Sequence, residues 1–179
     1  NTAWIAFLHT LSASFLVSGA GIAGVSAWMI MKNRQADVFR PAAKLGAWVI
    51  LVSAVLVSVT GDMDMKVMVD QQPMKVAAAE ALYTTQENAP FSILSVGDLS
   101  GDEATTIIEI PGLLSYLATG TWDGPESTVQ GINDLQAQSL EQFPQYGAEM
   151  NFVPYVPVTY WGFRLMIGLG MIAALYALW

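Results

Sequence analysis

One histidine stands in a long apolar stretch at the start of the chain. His9 lies in NTAWIAFLHTLSASFLVSGAGIAGVSAWMIM, and no Lys, Arg, Asp or Glu occurs from Asn1 to Met31. Ionisable side chains inside membrane spans are more often functional than structural. An imidazole on a bundle-facing helix is a usual axial ligand of haem iron. Two other interpretations stay open: an interfacial histidine bonded to a neighbour, and a zinc ligand, although one His and no Cys leave most zinc donors to other chains.

The helical face that carries His9 continues with small or apolar residues. Ala13, Leu16, Ala20 and Gly24 follow it and could flank a flat macrocycle. The stretch GAGIAG, residues 19–24, matches the GxGxxG pattern, but it lies inside an apolar span and no strand precedes it. We therefore reject a dinucleotide site and expect these small residues to let a neighbouring helix or flat ligand approach closely.

Three charged residues elsewhere are candidates for chemistry. Lys75 and Glu80 lie on PMKVAAAEALYTTQE, which has Pro at its start and good helix formers after it. Five residues of separation place them on different helical faces, so we expect each to meet a separate partner or ligand. Arg164 interrupts a third apolar run near its start, where it either snorkels to the interface or binds a haem propionate.

Three apolar runs position these residues. The first covers residues 1–31, the second is Leu45–Gly61, and the third extends from about Val156 to Trp179. Each is long enough to cross a bilayer as a helix. We predict a transmembrane hairpin over residues 1–61, an intervening segment over 62–155, and a truncated transmembrane helix over 156–179. Without an initiator Met or signal-peptide features, the chain is predicted to be an internal piece of a larger membrane protein.

Charge predicts how the chain is oriented. Four of the seven basic residues, Lys32, Arg34, Arg40 and Lys44, lie between the first two spans, which predicts a cytoplasmic loop. The segment 62–155 is then extracytoplasmic, and it carries every acidic residue except Asp37. The negative charge of such a segment argues against binding to nucleic acid or anionic lipid.

The intervening segment has its own predicted elements. FSILSV and TTIIEIP are β-branched or apolar and flank the turn-rich GDLSGDEA, which predicts a small hairpin. GLLSYLATG and GINDLQAQSLEQF predict two short helices. A segment of roughly 90 residues is long for a connector, so we expect it to be functional.

Four stretches together resemble subunit I of the cytochrome bd-type quinol oxidases. They are FLHT with its helix ending in GVSAW, the Gly61-Asp62 pair, QQPMKVAAAEALY, and YWGFRLMIG. QxxKxxxxE after a hydrophobic hairpin is the most specific of these features. The resemblance implies an all-α transmembrane helical bundle fragment, with three membrane spans and a mixed, mostly helical extracytoplasmic Q loop of the short type between spans two and three.

The resemblance also implies roles for single residues. The histidine at the position of His9 ligates the low-spin haem b, and Gln72, Lys75 and Glu80 fall on Q-loop positions implicated in quinol binding and oxidation. Glu80 is then the base, with Lys75 or Gln72 as the donor to the quinone oxygens. The second axial ligand, a methionine, is expected from a helix after Trp179. The ligands of the high-spin haem b and of haem d are expected outside this chain.

The implied activity is quinol oxidation at the outer face of the bacterial plasma membrane, with reduction of O2 to water. The implied partners are ubiquinol or menaquinol, O2, the lipid bilayer, a second large oxidase subunit and small single-span subunits, without nucleic acid. An alternative from another class is a membrane-anchored assembly or docking module with an acidic outer domain and no redox role. An optical spectrum separates the two, because a docking module has no Soret band.

Overall fold

The protein is described by a computed structural model that covers residues 2–97, 99 and 105–179. The chain divides into two compact units. The first unit combines residues 1–64 with Met166–Trp179, and the second unit is Met65–Leu165.

Three helices of the described chain are long and apolar enough to cross a membrane. They are α1 (Thr2–Met31), α2 (Ala36–Gln71) and α6 (Val156–Leu178). Their outward-facing side chains are apolar over most of the length, as a lipid environment allows. The predicted spans and the mostly helical fold class are confirmed.

Close packing of α1 against α2 depends on two glycines. A Cβ on Gly46 would lie 2.7 Å from the backbone nitrogen of Ala23 and 2.8 Å from the carbonyl oxygen of Gly19. Without side chains at these points the two backbones approach each other closely. The expected helix contact through the small residues is confirmed at Gly19 and Ala23.

Helix α2 is longer than the apolar run that predicted it. It begins nine residues before Leu45 and continues to Gln71, ten residues beyond Gly61. Its 36 residues correspond to about 54 Å, against a hydrocarbon core of ~30 Å. The charged residues after Gly61 mark a change in polarity, but they are adequate helix formers and no proline interrupts them before Pro73. The helix therefore continues where the hydrophobic run stops.

The second unit contains the remaining short elements. Helix α3 is Pro73–Glu80, strands β1 (Phe91–Val96) and β2 (Thr105–Ile110) pair antiparallel, and helices α4 (Leu113–Thr119) and α5 (Ile132–Gln142) follow. Short 3-10 turns occur at Pro125–Ser127 and Pro144–Tyr146. The predicted hairpin and both short helices are confirmed. Most of the predicted turn GDLSGDEA lies outside the described residues, namely residue 98 and residues 100–104.

Helix α3 ends earlier than the sequence indicated. Ala81 adopts a left-handed conformation with φ of 51°, and the N–H of Leu82 donates to the carbonyl of Ala77 at 2.9 Å. This arrangement is a helix C-cap, and it makes Glu80 the last residue of the helix. Because alanine is the best helix former, the sequence contains no stop signal at this point.

Two apolar clusters hold the second unit together. In one, Ala77 and Ala78 of α3 meet Ile132 and Leu135 of α5 and Tyr160 of α6. The other cluster is built around the buried residues of α4. The buried members of this cluster are Leu82, Ala89, Leu114, Ala118 and Val129. The first cluster fixes the helix that ends in Glu80.

Candidate functional site

His9 lies on α1, and its ring is hydrogen-bonded to a residue of α2. The imidazole is half-buried, and its Nδ1 lies 3.3 Å from the hydroxyl oxygen of Thr60. The structure records no hydrogen bond from a described residue to the other ring nitrogen, Nε2. A neutral imidazole held through one nitrogen presents the other as a metal donor, so the residues present fit an axial haem ligand.

The helical face next to His9 is divided between two environments. Leu16 belongs to a buried stripe of α1 that also contains Ser12 and Gly19, so it is part of the helix-packing surface rather than an open face. Gly24, in contrast, has no atom within 4 Å of the position that a Cβ would take. Leu16 is therefore not available to flank a macrocycle, whereas Gly24 lies at an open position and stays available.

The part of the chain that the structure describes contains no cluster of side chains that could bind a metal ion together. No group of three or more His, Cys, Asp or Glu residues in the described ranges is placed to share a metal ion. A zinc site built within this chain alone would need such a group. An axial haem ligand needs only one donor from each side of the macrocycle, which suits the single His9.

Glu80 and Arg164 form a buried ion pair in the second unit. Nη1 of Arg164 donates to Oε1 of Glu80 at 3.2 Å, and Nη2 donates to Oε2 at 2.6 Å. The side chains are only 7% and 1% exposed, Arg164 and Glu80 respectively. Two parallel bonds of this kind fix both the distance and the plane of the carboxylate. Neither interpretation of Arg164 from the sequence, snorkelling or propionate binding, included this partner.

Aromatic rings surround the guanidinium of Arg164. Its central carbon lies 4.4 Å from the ring centre of Phe91, 4.6 Å from that of Tyr160 and 5.4 Å from that of Phe163. Such contacts stabilise a cation by electrostatic attraction to the ring face. Nε of Arg164 has no hydrogen-bond partner among the described residues.

Burial changes the acid–base behaviour of Glu80. Loss of water around the carboxyl raises its pKa from 4.5 to about 7, while the hydrogen bonds and positive charge of Arg164 act in the opposite direction. A carboxyl group with a pKa near 7 exchanges a proton readily at neutral pH. Glu80 is therefore suited to accept and release protons.

Tyr160 connects α6 to strand β1 through hydroxyl groups. Its phenol oxygen accepts from the backbone N–H of Ser95 at 2.8 Å and shares a hydrogen bond with Ser92 Oγ at 2.7 Å. The ladder is irregular on both sides of Leu94. Residues three apart in a regular strand point to opposite faces, but this irregularity buries both serines toward the same tyrosine.

The other two candidates lie at the start of α3. Gln72 occupies the position before the helix and Lys75 its first turn, and both are exposed. Lys75 and Glu80 therefore have different surroundings, as their spacing indicated. Among the five site residues chosen from the sequence, the structure pairs Glu80 with Arg164.

Sequence reasoning did not find Thr60, Ser92, Ser95 or Tyr160. Tyr160 precedes Arg164 by four residues and so shares its helical face, which is a usable signal. The two serines in the otherwise apolar FSILSV are a second signal. Thr60 offers no comparable pattern, because a single hydroxyl near the end of an apolar run is common.

Three spanning helices, with a folded segment between the second and third, define an integral membrane protein. The chain belongs to the cytochrome bd terminal oxidase subunit I family, which it matches over residues 1–179.

Curated relatives carry the same subunit name. A cytochrome bd ubiquinol oxidase subunit 1 of Bacillus subtilis is 31% identical over 98% of this chain and 37% of its own length. A cytochrome bd-II ubiquinol oxidase subunit 1 of Escherichia coli is 25% identical over 97% of this chain and 35% of its own length. A putative cytochrome bd menaquinol oxidase subunit I of Bacillus subtilis is 26% identical over 95% of this chain and 35% of its own length. The chain thus spans little more than a third of these relatives.

A solved structure has the same fold. The bd oxidase from Geobacillus thermodenitrificans matches with a TM-score of 0.67 and 25% identity, over 100% of this chain and 46% of the matched chain. The family implies haem cofactors and an oxidoreductase in general terms.

Proposed function

We propose that this chain is the part of a quinol:O2 oxidoreductase that oxidises quinol and delivers the electrons to a low-spin haem b. In the complete protein, a high-spin haem b and a haem d, held by residues outside this chain, would supply the chemistry that reduces O2 to water. The observation that carries the proposal is Glu80, a buried carboxyl with a pKa of about 7 on the segment between spans. Family membership supplies the redox context.

Quinol oxidation releases two protons with two electrons, so a site needs a proton acceptor and donors to the quinone oxygens. Glu80 is the proposed acceptor. Lys75 in the first turn of α3 and Gln72 just before the helix are both exposed and can donate hydrogen bonds from an ammonium and an amide group. Arg164 keeps the Glu80 carboxyl oriented, and its positive charge limits the rise in pKa that burial causes.

His9 is the proposed axial ligand of the low-spin haem b through Nε2. When bound, the haem accepts one electron at a time. The second ligand of that haem, a methionine, is expected outside this chain and stays a prediction from the resemblance. A role of Arg164 at a haem propionate stays a prediction.

The loop between the second and third spans is proposed to face the outside of the bacterial plasma membrane. Four basic residues between the first two spans support this orientation. Protons from quinol would then be released outside. The second large subunit and small single-span subunits complete the proposed complex.

The quinol role is tested by Glu80→Gln and Lys75→Ala in the intact oxidase. Gln keeps an acceptor for Arg164, whereas Glu80→Ala would leave the guanidinium buried and unpaired at a cost of about 3–5 kcal/mol. We expect each variant to lose quinol oxidase activity, by about 10²–10⁴-fold for the base, with all haem bands retained. An artificial one-electron donor that bypasses the loop should restore turnover.

Glu87→Gln is the matched control, since Glu87 is an exposed acidic residue of the same segment. Its activity should equal that of the wild type. Normal quinol turnover in both Glu80→Gln and Lys75→Ala would show that α3 is only structural.

The haem role is tested by His9→Ala. We expect the low-spin α-band to disappear from the reduced-minus-oxidised spectrum while the other haem bands partly remain, because only one macrocycle loses a ligand. An unchanged spectrum in His9→Ala would exclude His9 as a ligand.

A further inference from the structure

The hydroxyl group of Thr60 is placed between a backbone carbonyl and the ring of His9. Its Oγ1 donates to the carbonyl oxygen of Leu56 at 2.7 Å, one turn earlier in α2. A second carbonyl, that of Val57, lies 3.4 Å away. On its other side, Oγ1 lies 3.3 Å from Nδ1 of His9.

Counting hydrogens assigns the direction of the contact with His9. A threonine hydroxyl has one proton and two acceptor lone pairs. The short contact to Leu56 uses the proton, so Thr60 can only accept from the imidazole. Nδ1 of His9 must then carry a hydrogen, and in the neutral ring the lone pair for metal binding is on Nε2.

We propose that Thr60 is a positioning residue that selects the Nδ1–H tautomer of His9 and presents Nε2 as the metal donor. The proposal rests on the proposed role of His9 as a haem ligand. It adds a residue, 51 positions further along the chain, that determines which nitrogen binds the iron and how strongly it donates.

Gly61 also lies against the imidazole of His9. A Cβ at this position would lie 3.2 Å from Cε1 of His9 and 3.5 Å from Nδ1. The first distance is tighter than ordinary van der Waals contact, so the absence of a side chain lets the ring lie against α2. Thr60 and Gly61 together restrict the rotation of the ring about its own axis.

A hydrogen bond at Nδ1–H increases the electron density that the ring offers through Nε2, and loss of such outer partners typically weakens metal binding 10–100-fold. A stronger donor favours ferric over ferrous iron. If loss of the Thr60 acceptor weakens the ferric preference by about tenfold, the midpoint potential of the low-spin haem rises by ~59 mV.

The test is a redox titration of the low-spin haem in the intact oxidase carrying Thr60→Val, Thr60→Ser or Thr10→Val. Val keeps the shape of Thr but removes the acceptor, and Ser restores it. Thr10 is the matched control: its hydroxyl also donates to a carbonyl one turn back, that of Ala6 at 2.8 Å, and it is exposed. The ferric low-spin signal in electron paramagnetic resonance is a second readout.

We expect a raised midpoint and an altered ferric signal in Thr60→Val, with wild-type values in Thr60→Ser and Thr10→Val. Loss of the low-spin haem in Thr60→Val alone, with recovery in Thr60→Ser, would also support the proposal. Wild-type values in Thr60→Val, or equal changes in Thr60→Ser, would overturn it. These outcomes are separate from the failure of the haem role itself, which is a retained low-spin band in His9→Ala.

Discussion

Glu80 is a carboxyl group whose surroundings act on its charge in opposite directions. Burial disfavours the carboxylate, and two hydrogen bonds from Arg164 favour it. The outcome is a pKa of about 7 against 4.5 for an ordinary glutamate. Neither an exposed glutamate nor a buried one without an arginine would titrate near neutral pH. The pairing of Glu80 with Arg164 therefore sets the pH range over which the proposed base gains and loses its proton.

The pH dependence of quinol oxidation should therefore follow Glu80. Because a base must be deprotonated to accept a proton, we expect the turnover rate of the wild type to rise as the pH increases through about 7. The rising limb should be absent from the residual activity of Glu80→Gln. An identical pH profile in the two proteins, measured with the same quinol, would contradict the assignment of the base.

The same group links stability to pH with a defined sign. Its pKa is higher in the folded protein, so the folded state binds more protons than the unfolded state between pH 4.5 and about 7. The stabilising contribution is present below pH 4.5 and is lost as the pH rises through about 7. We expect the melting temperature to fall more between pH 6 and pH 8 in the wild type than in Glu80→Gln. Equal decreases would show that Glu80 does not contribute.

At the scale of the helices, backbone atoms rather than side chains limit how closely α1 and α2 approach each other. Gly46 faces the backbone of Gly19 and Ala23, and Ile50 is almost completely buried at the same contact. Van der Waals packing of this kind is a main source of helix association in lipid, where the hydrophobic effect between helices is absent. His9 and Thr60 are brought together by the same pair of helices.

Gly46→Ala should weaken this helix contact. The added methyl group would lie 2.7 Å from a backbone nitrogen that cannot rotate away, so the helices must separate. We expect a loss of about 1–3 kcal/mol, seen as a lower melting temperature of the purified complex. Gly21→Ala is the control, because this position of α1 has open space around it and should have little effect. A neutral Gly46→Ala would show that the two backbones are not in close contact.

At the scale of the whole molecule, the chain alternates between apolar spans and an acidic segment. The net charge of -8 comes mainly from residues 62–155, while the basic residues concentrate between the first two spans. This asymmetry predicts the orientation in the membrane. Together with the proposed quinol site, it predicts that quinol protons leave on the outer side. Turnover is then electrogenic if O2 is reduced with protons taken from the inside.

Orientation can be measured by labelling, because the chain has no cysteine of its own. Glu126→Cys and Asn33→Cys place a thiol at exposed positions of the long loop and the basic loop. In sealed right-side-out vesicles, an impermeant maleimide should label Glu126→Cys directly and Asn33→Cys only after permeabilisation. Protease should likewise cut near residues 97–103. The reverse pattern, with the unsubstituted protein as control, would contradict the proposed sidedness.

Composition and local pattern were sufficient for the elements. Apolar runs predicted the spans because a helix that crosses lipid must be apolar over about 20 residues. β-Branched or apolar stretches on either side of a turn-rich segment predicted the pairing of β1 with β2, and small residues predicted the helix contact at Gly19. These features depend on neighbours in sequence, so the sequence alone determined them.

Only the tertiary structure decided which residues work together. Arg164 lies 84 positions from Glu80, Tyr160 lies 68 from Ser92, and Thr60 lies 51 from His9. No local pattern encodes such pairs, because each partner compensates a loss of water that exists only after the chain has folded. The early end of α3 at Ala81 has a similar cause, since its buried face is fixed against α5 and α6. The acid–base character of Glu80 is therefore a property of the fold.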